Sequence, residues 1–160
     1  MSGWDDDEDL EDDRRLRRSD EVLRLLFDRL VAGTTGRRHE RLQRAEQDLR
    51  RCLEVNADRL FTDLERDLLV LEEQLDPVGA AARVASAEVV LLVLPIFLDE
   101  ARWHGTDPED RRLRIRLAAD LTKAAVRLPE LQGEISCLVL DVEFAVRRAR
   151  SALRGDRLPS

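Results

Sequence analysis

Tyrosine is missing from this chain, and aromatic residues make up only 4% of it. A surface that reads nucleic acid usually stacks bases on rings, so a scarcity of rings argues against that role. Only two cysteines occur, Cys52 and Cys137. That is too few for a disulfide framework or a cysteine-based zinc site. Both sit among apolar residues, so buried free thiols in a reducing, cytoplasmic compartment are expected. The only histidines are His39 and His104. His104 follows Glu100 by four residues, a spacing that puts both on one helical face. No third ligand accompanies them, and a capping or solvent-facing role is expected. The Glu-x-x-His pairs of a di-iron bundle are missing. So are a Gly-rich phosphate loop, a nucleophile elbow and a Cys–His pair. Lys123 is the single lysine among 27 basic residues, a bias that fits a GC-rich genome better than arginine chemistry.

Long apolar runs are also scarce. The longest, Val89–Leu98, falls short of the roughly 20 residues that cross a bilayer, and Arg83 and Glu88 interrupt its extension. No membrane span is expected. The N-terminus does not resemble a secretion signal. Period-two alternation and internal repeats do not occur, which leaves little room for strands. No motif carries a resemblance to a known family.

What is abundant is charge, at 38% of residues, in a chain of 160 with net charge -7. High charge with plentiful Leu, Ala, Arg and Glu points to helix, and the length suits one domain. The net charge is unevenly placed. Asp5, Asp6, Asp7, Glu8, Asp9, Glu11, Asp12 and Asp13 account for it, and the rest of the chain is near neutral. Residues 1–18 therefore read as a disordered acidic tail with a basic junction at Arg14, Arg15, Arg17 and Arg18. Residues 19–155 read as a helical bundle, and 156–160 as a short tail.

Within the bundle, Val84–Leu98 is apolar on every side except at Ser86, Glu88 and Pro95, and a helix of that kind must be surrounded. The expected fold is all-α, a single-domain bundle of five or six helices around this buried central helix, which runs from Ala80 to Trp103 with a kink at Pro95. Ser19 reads as the N-cap of a first helix ending at Gly33. From Arg37 to Leu75 neither Gly nor Pro occurs, and Leu42, Ala45, Leu49, Leu53, Leu60, Leu64, Leu71 and Leu75 form one stripe. A single helix there would be roughly 55–60 Å long, so a break at Val55-Asn56-Ala57 is favoured over a projecting arm. Thr106-Asp107-Pro108-Glu109 is a strong helix start. Leu113, Leu117, Leu121, Ala124 and Leu128 face inward from that helix. Pro129 is expected to open the last helix, which ends at Gly155.

The function expected is a non-enzymatic protein–protein interaction module: an adaptor, scaffold or assembly component that pairs with a protein partner or with itself as a homo-oligomer. Its expected surface is Leu42, Leu49, Leu53, Leu60 and Leu64. An alternative is a nucleic-acid-associated helical protein that uses Arg111, Arg112, Arg114, Arg116, Arg127, Arg147 and Arg148, with the acidic tail competing for them. A magnesium-dependent helical nucleotide hydrolase, using Glu72, Glu73 and Asp76, is a third and weaker alternative, because those acids crowd a helix C-terminus. No cofactor is expected.

Overall fold

A computed structural model describes residues 17–99, 106–131, 133 and 135–155. The acidic tail, Glu100, Trp103, His104 and the last five residues lie outside them. Among the described residues there are eight α-helices and no named strand: α1 Ser19–Val31, α2 Gly36–Val55, α3 Ala57–Leu60, α4 Asp63–Leu75, α5 Ala80–Val84, α6 Glu88–Phe97, α7 Pro108–Ala125 and α8 Ser136–Gly155. The all-helical expectation holds, but the helices are shorter and more numerous than the patterning implied.

The first difference lies at the start of α1. Its cap position is Arg18, not Ser19. The fully buried Ser19 has another task. Its N–H donates to the Ala85 carbonyl at 2.9 Å, and its hydroxyl donates to the Ser86 carbonyl at 2.5 Å. Those two carbonyls belong to the segment expected to be the middle of one central helix. The bonds to Ser19 accompany a break there, and the apolar stretch becomes α5 and α6 joined through Ala85–Ala87. Helix α6 buries Val89, Val90, Leu91, Val93, Leu94 and Phe97. It packs against α1, α2, α3, α7 and α8. It is not wrapped on every side as expected: Glu88 is exposed, and Leu92, Pro95 and Ile96 on the same helical face are half-buried, so one side of α6 reaches water.

Helix α2 is amphipathic and buries Leu42, Ala45, Leu49, Cys52 and Leu53. It ends at Asn56, whose buried side-chain amide donates to the Cys52 carbonyl at 2.7 Å. An asparagine that satisfies a carbonyl with its own side chain competes with helix continuation, and the chain turns there. One turn of α3 follows. Phe61 is then buried with extended backbone, and Thr62 caps α4 by accepting the Glu65 N–H at 3.3 Å. The long striped segment is thus three helices.

Two further expectations need correcting. Pro129–Leu131 forms only a 3-10 turn, and α8 begins at Ser136. Gly133, at φ 130°, lies between them in a conformation that glycine tolerates and a helix does not use. Cys52 is buried as expected, but Cys137 is exposed in the first turn of α8. At the start of α7, by contrast, the cap is as read: the Asp107 carboxylate accepts the Glu109 N–H at 2.9 Å, and Pro108 takes the first helical position. No helix among the described residues is long and apolar enough to cross a membrane.

Candidate partner-binding face

Helix α4 carries apolar residues on two sides, and only one side faces the protein. Leu69, 9% exposed, and Glu65 are its buried residues. Leu64, Leu68, Leu71 and Leu75 are spaced four, three and four apart, which places them within about 60° of arc. They are 68%, 37%, 60% and 84% exposed. Val78, just past the helix end, continues the exposed apolar surface. Four leucines at this spacing match the seam pattern of paired helices, and among the described residues they remain in large part exposed.

The inner side of α4 is fastened by polar contacts. The Glu65 carboxylate accepts the Thr62 hydroxyl at 3.1 Å and the Ser86 N–H at 3.4 Å. At the other end, Arg83 of α5 donates from Nε to Glu72 Oε1 at 2.7 Å, and from Nη1 and Nη2 to the carbonyls of Val78 and Asp76, each at 2.6 Å. The hydrogen bond that Arg83 donates to the Glu72 carboxylate holds its guanidinium above its ordinary pKa. Around the seam the charge is mostly acidic. Asp63, Asp67, Glu73 and Asp76 are exposed, and the one base on the helix, Arg66, pairs with Asp63 at 2.8 Å.

Of the leucines read as partner-binding, Leu42, Leu49 and Leu53 lie in the core of this same chain, Leu60 is half-buried, and only Leu64 is available to a partner. The stripe is continuous in sequence, but the breaks at Asn56 and Thr62 re-aim it. Its α2 half turns into the bundle and its α4 half turns out. Leu68 interleaves with the outward leucines at seam spacing, a signal present in the sequence but not part of the expected stripe.

A second exposed apolar face lies on α8. Leu140 and Phe144, one turn apart, are 51% and 63% exposed. Arg147, Arg148, Arg150 and Arg154 follow them on the same helix and are all exposed.

The arginines of the nucleic-acid alternative do not form one surface. Arg114 is bound to Asp48 at 2.6 Å and lies 5.3 Å from the centre of the Phe97 ring, so it serves the fold. Arg111 is half-buried. Arg112 and Arg116 are brought together with Arg37, Arg38 and Arg41 of α2 in an open groove of about 400 Å³. Arg41 is occupied there by Glu109 at 2.9 Å and Asp110 at 3.3 Å. Arg127 is exposed near the end of α7, whereas Arg147 and Arg148 lie on α8. The α2 arginines were not among the expected residues, because some seventy positions separate them from α7 in sequence.

Two acids of the third alternative are engaged with Arg83, at 2.7 Å for Glu72 and 3.8 Å for Asp76, and Glu73 is exposed. Among the described residues no three metal-ligating side chains come together. His39 Nδ1 lies 3.3 Å from the Thr34 hydroxyl at the start of α2. Compared with known protein families, curated proteins and solved structures, the chain finds no match.

Proposed function

We propose that this chain is a non-enzymatic protein–protein interaction module, an adaptor, scaffold or assembly component. In this reading a bundle organised around α6 holds α4 out as its docking face. The observation that carries it is the pair of opposite sides on α4. One is bound to the body through Glu65, Leu69 and Arg83, and the other presents Leu64, Leu68, Leu71 and Leu75 to water. Contiguous exposed apolar surface on a monomer costs solubility and commonly marks an interaction site. A leucine seam on a rigid helix suits a partner that contributes another amphipathic helix. Two free thiols, one of them exposed, suit the cytoplasm.

The test is comparative affinity capture with the intact chain as bait, using wild type, Leu71→Asp/Leu75→Asp and, as a control, Arg116→Glu. The expected result is a set of partners retained by wild type and the control and lost by the α4 variant, with helix content unchanged. Identical capture by all three overturns the reading.

The groove formed by Arg37, Arg38, Arg112 and Arg116 favours a second reading, an association with nucleic acid through the phosphate backbone. Removal of residues 1–13 then strengthens salt-sensitive binding to a duplex oligonucleotide. A truncated protein that stays unbound at low salt overturns it.

A further inference from the structure

We infer that the α4 seam is occupied by the exposed face of α8 from a second copy of this chain, the two copies exchanging these faces about a two-fold axis. The inference rests on the reading of α4 as a docking face and adds the identity of the occupant.

Charge selects the pairing. The seam of α4 is flanked by acids, Asp67 and Glu73 among them, and its only base is held by Asp63. The face of α8 begins with Leu140 and Phe144, flanked by the exposed Asp141 and Glu143, and continues into the exposed Arg147, Arg148, Arg150 and Arg154, so it is basic overall. Pairing α4 with a second α4 sets carboxylates against carboxylates. Pairing α8 with a second α8 sets two net-basic faces against one another. The crossed arrangement brings apolar surface to apolar surface and sets the net-acidic α4 against the net-basic α8, and such charges set partner choice and register more than strength.

Area favours reciprocity. A stable interface covers about 800 Å² on each partner, more than one short helix face supplies. An exchange about a two-fold uses both faces of both copies. Their placement permits this. Arg59 of α3, four residues before α4, lines one cavity with Arg148 and Ala149 of α8, so the turn that leads into α4 borders the C-terminal half of α8. Phe144 supplies the aromatic anchor that helix interfaces use at their centre.

Light scattering on the intact chain between 5 and 100 µM, values about the range where such contacts form, reads the outcome at low and high salt. The expected mass is that of a dimer. Leu71→Asp and Phe144→Asp, on different helices, each weaken dimerisation more than tenfold. Asp67→Arg/Glu73→Arg weakens it similarly, and so does Arg147→Glu/Arg148→Glu. The chain carrying all four charge reversals returns to within threefold of wild type, which no purely structural role for these residues produces. Far-UV circular dichroism checks each variant, and Leu71→Gln replaces Leu71→Asp if helix content falls. A monomer at 100 µM overturns the inference. So does a dimer lost with Leu71→Asp but kept with Phe144→Asp, which means α4 pairing with α4. Masses that grow without limit, or charge reversals that fail to compensate, also overturn it. A monomer that still captures partners through Leu71 and Leu75 leaves the docking role of α4 standing and removes only the second copy.

Discussion

Arg83 Nε donates to Glu72 Oε1 at 2.7 Å, and this bond joins the inner side of α4 to α5. The same guanidinium closes over the carbonyls of Asp76 and Val78, so one side chain satisfies the end of α4 and the loop beyond it. Helix C-termini leave carbonyls without partners, and arginine can supply several donors in a fixed fork. Gly79, at φ 72°, turns the chain back toward this arginine.

Arg83→Ala therefore loosens α4 locally. Both partners are about one-third exposed, so water replaces part of what is lost and the cost to global stability is about 1 kcal/mol. Amide exchange is the sharper measurement. The α4 amides are expected to exchange markedly faster while those of α6 stay close to wild type. Uniform acceleration across both helices contradicts the picture of α4 as a separately fastened element.

Two leucine truncations separate core from face. Leu94→Ala removes a fully buried side chain from α6 and is expected to cost roughly 3 kcal/mol. Leu71→Ala removes one that is 60% exposed, with a change of about 0.5 kcal/mol or less in the monomer. Urea denaturation monitored by circular dichroism gives both numbers. Equal losses mean that Leu71 is covered within the chain itself.

Asn56→Ala tests the break after α2. The substitution removes the donor to the Cys52 carbonyl from a site that is 3% exposed. The expected loss is about 1–2 kcal/mol. Chemical denaturation measures it. A stability at or above wild type indicates that α2 and α3 join more readily than the native turn allows.

The two cysteines should separate kinetically. Cys137 is exposed and Cys52 is buried in the core. A chromogenic disulfide reagent on the native protein is expected to titrate one thiol promptly, and the second only as the chain opens. Prompt reaction of both contradicts the burial of Cys52.

Much of this architecture was legible in one dimension. The Asp20-Glu21 first turn of α1, the Asp107-Pro108 cap of α7 and the three-and-four spacing of Leu42, Leu49 and Leu53 are local signals. Backbone sterics and capping chemistry act within a few residues, so these signals survive without a tertiary context. The errors lie where a distant residue intervened. Ser19 was read as a cap because its hydroxyl suits one, but it donates to Ser86, sixty-seven positions away. The apolar central stretch was read as continuous, yet it breaks at that same contact.

Composition and periodicity alone established that the described residues are helical, that Leu91 and Leu94 belong to an apolar stretch, and that Leu64, Leu71 and Leu75 lie on a stripe. They could not establish which way the stripe points. A periodic pattern defines a face only relative to its own helix axis, and the turns at Asn56 and Thr62 rotate one axis against the next. That rotation, decided by tertiary packing, buries Leu49 and Leu53 while leaving Leu71 and Leu75 in water.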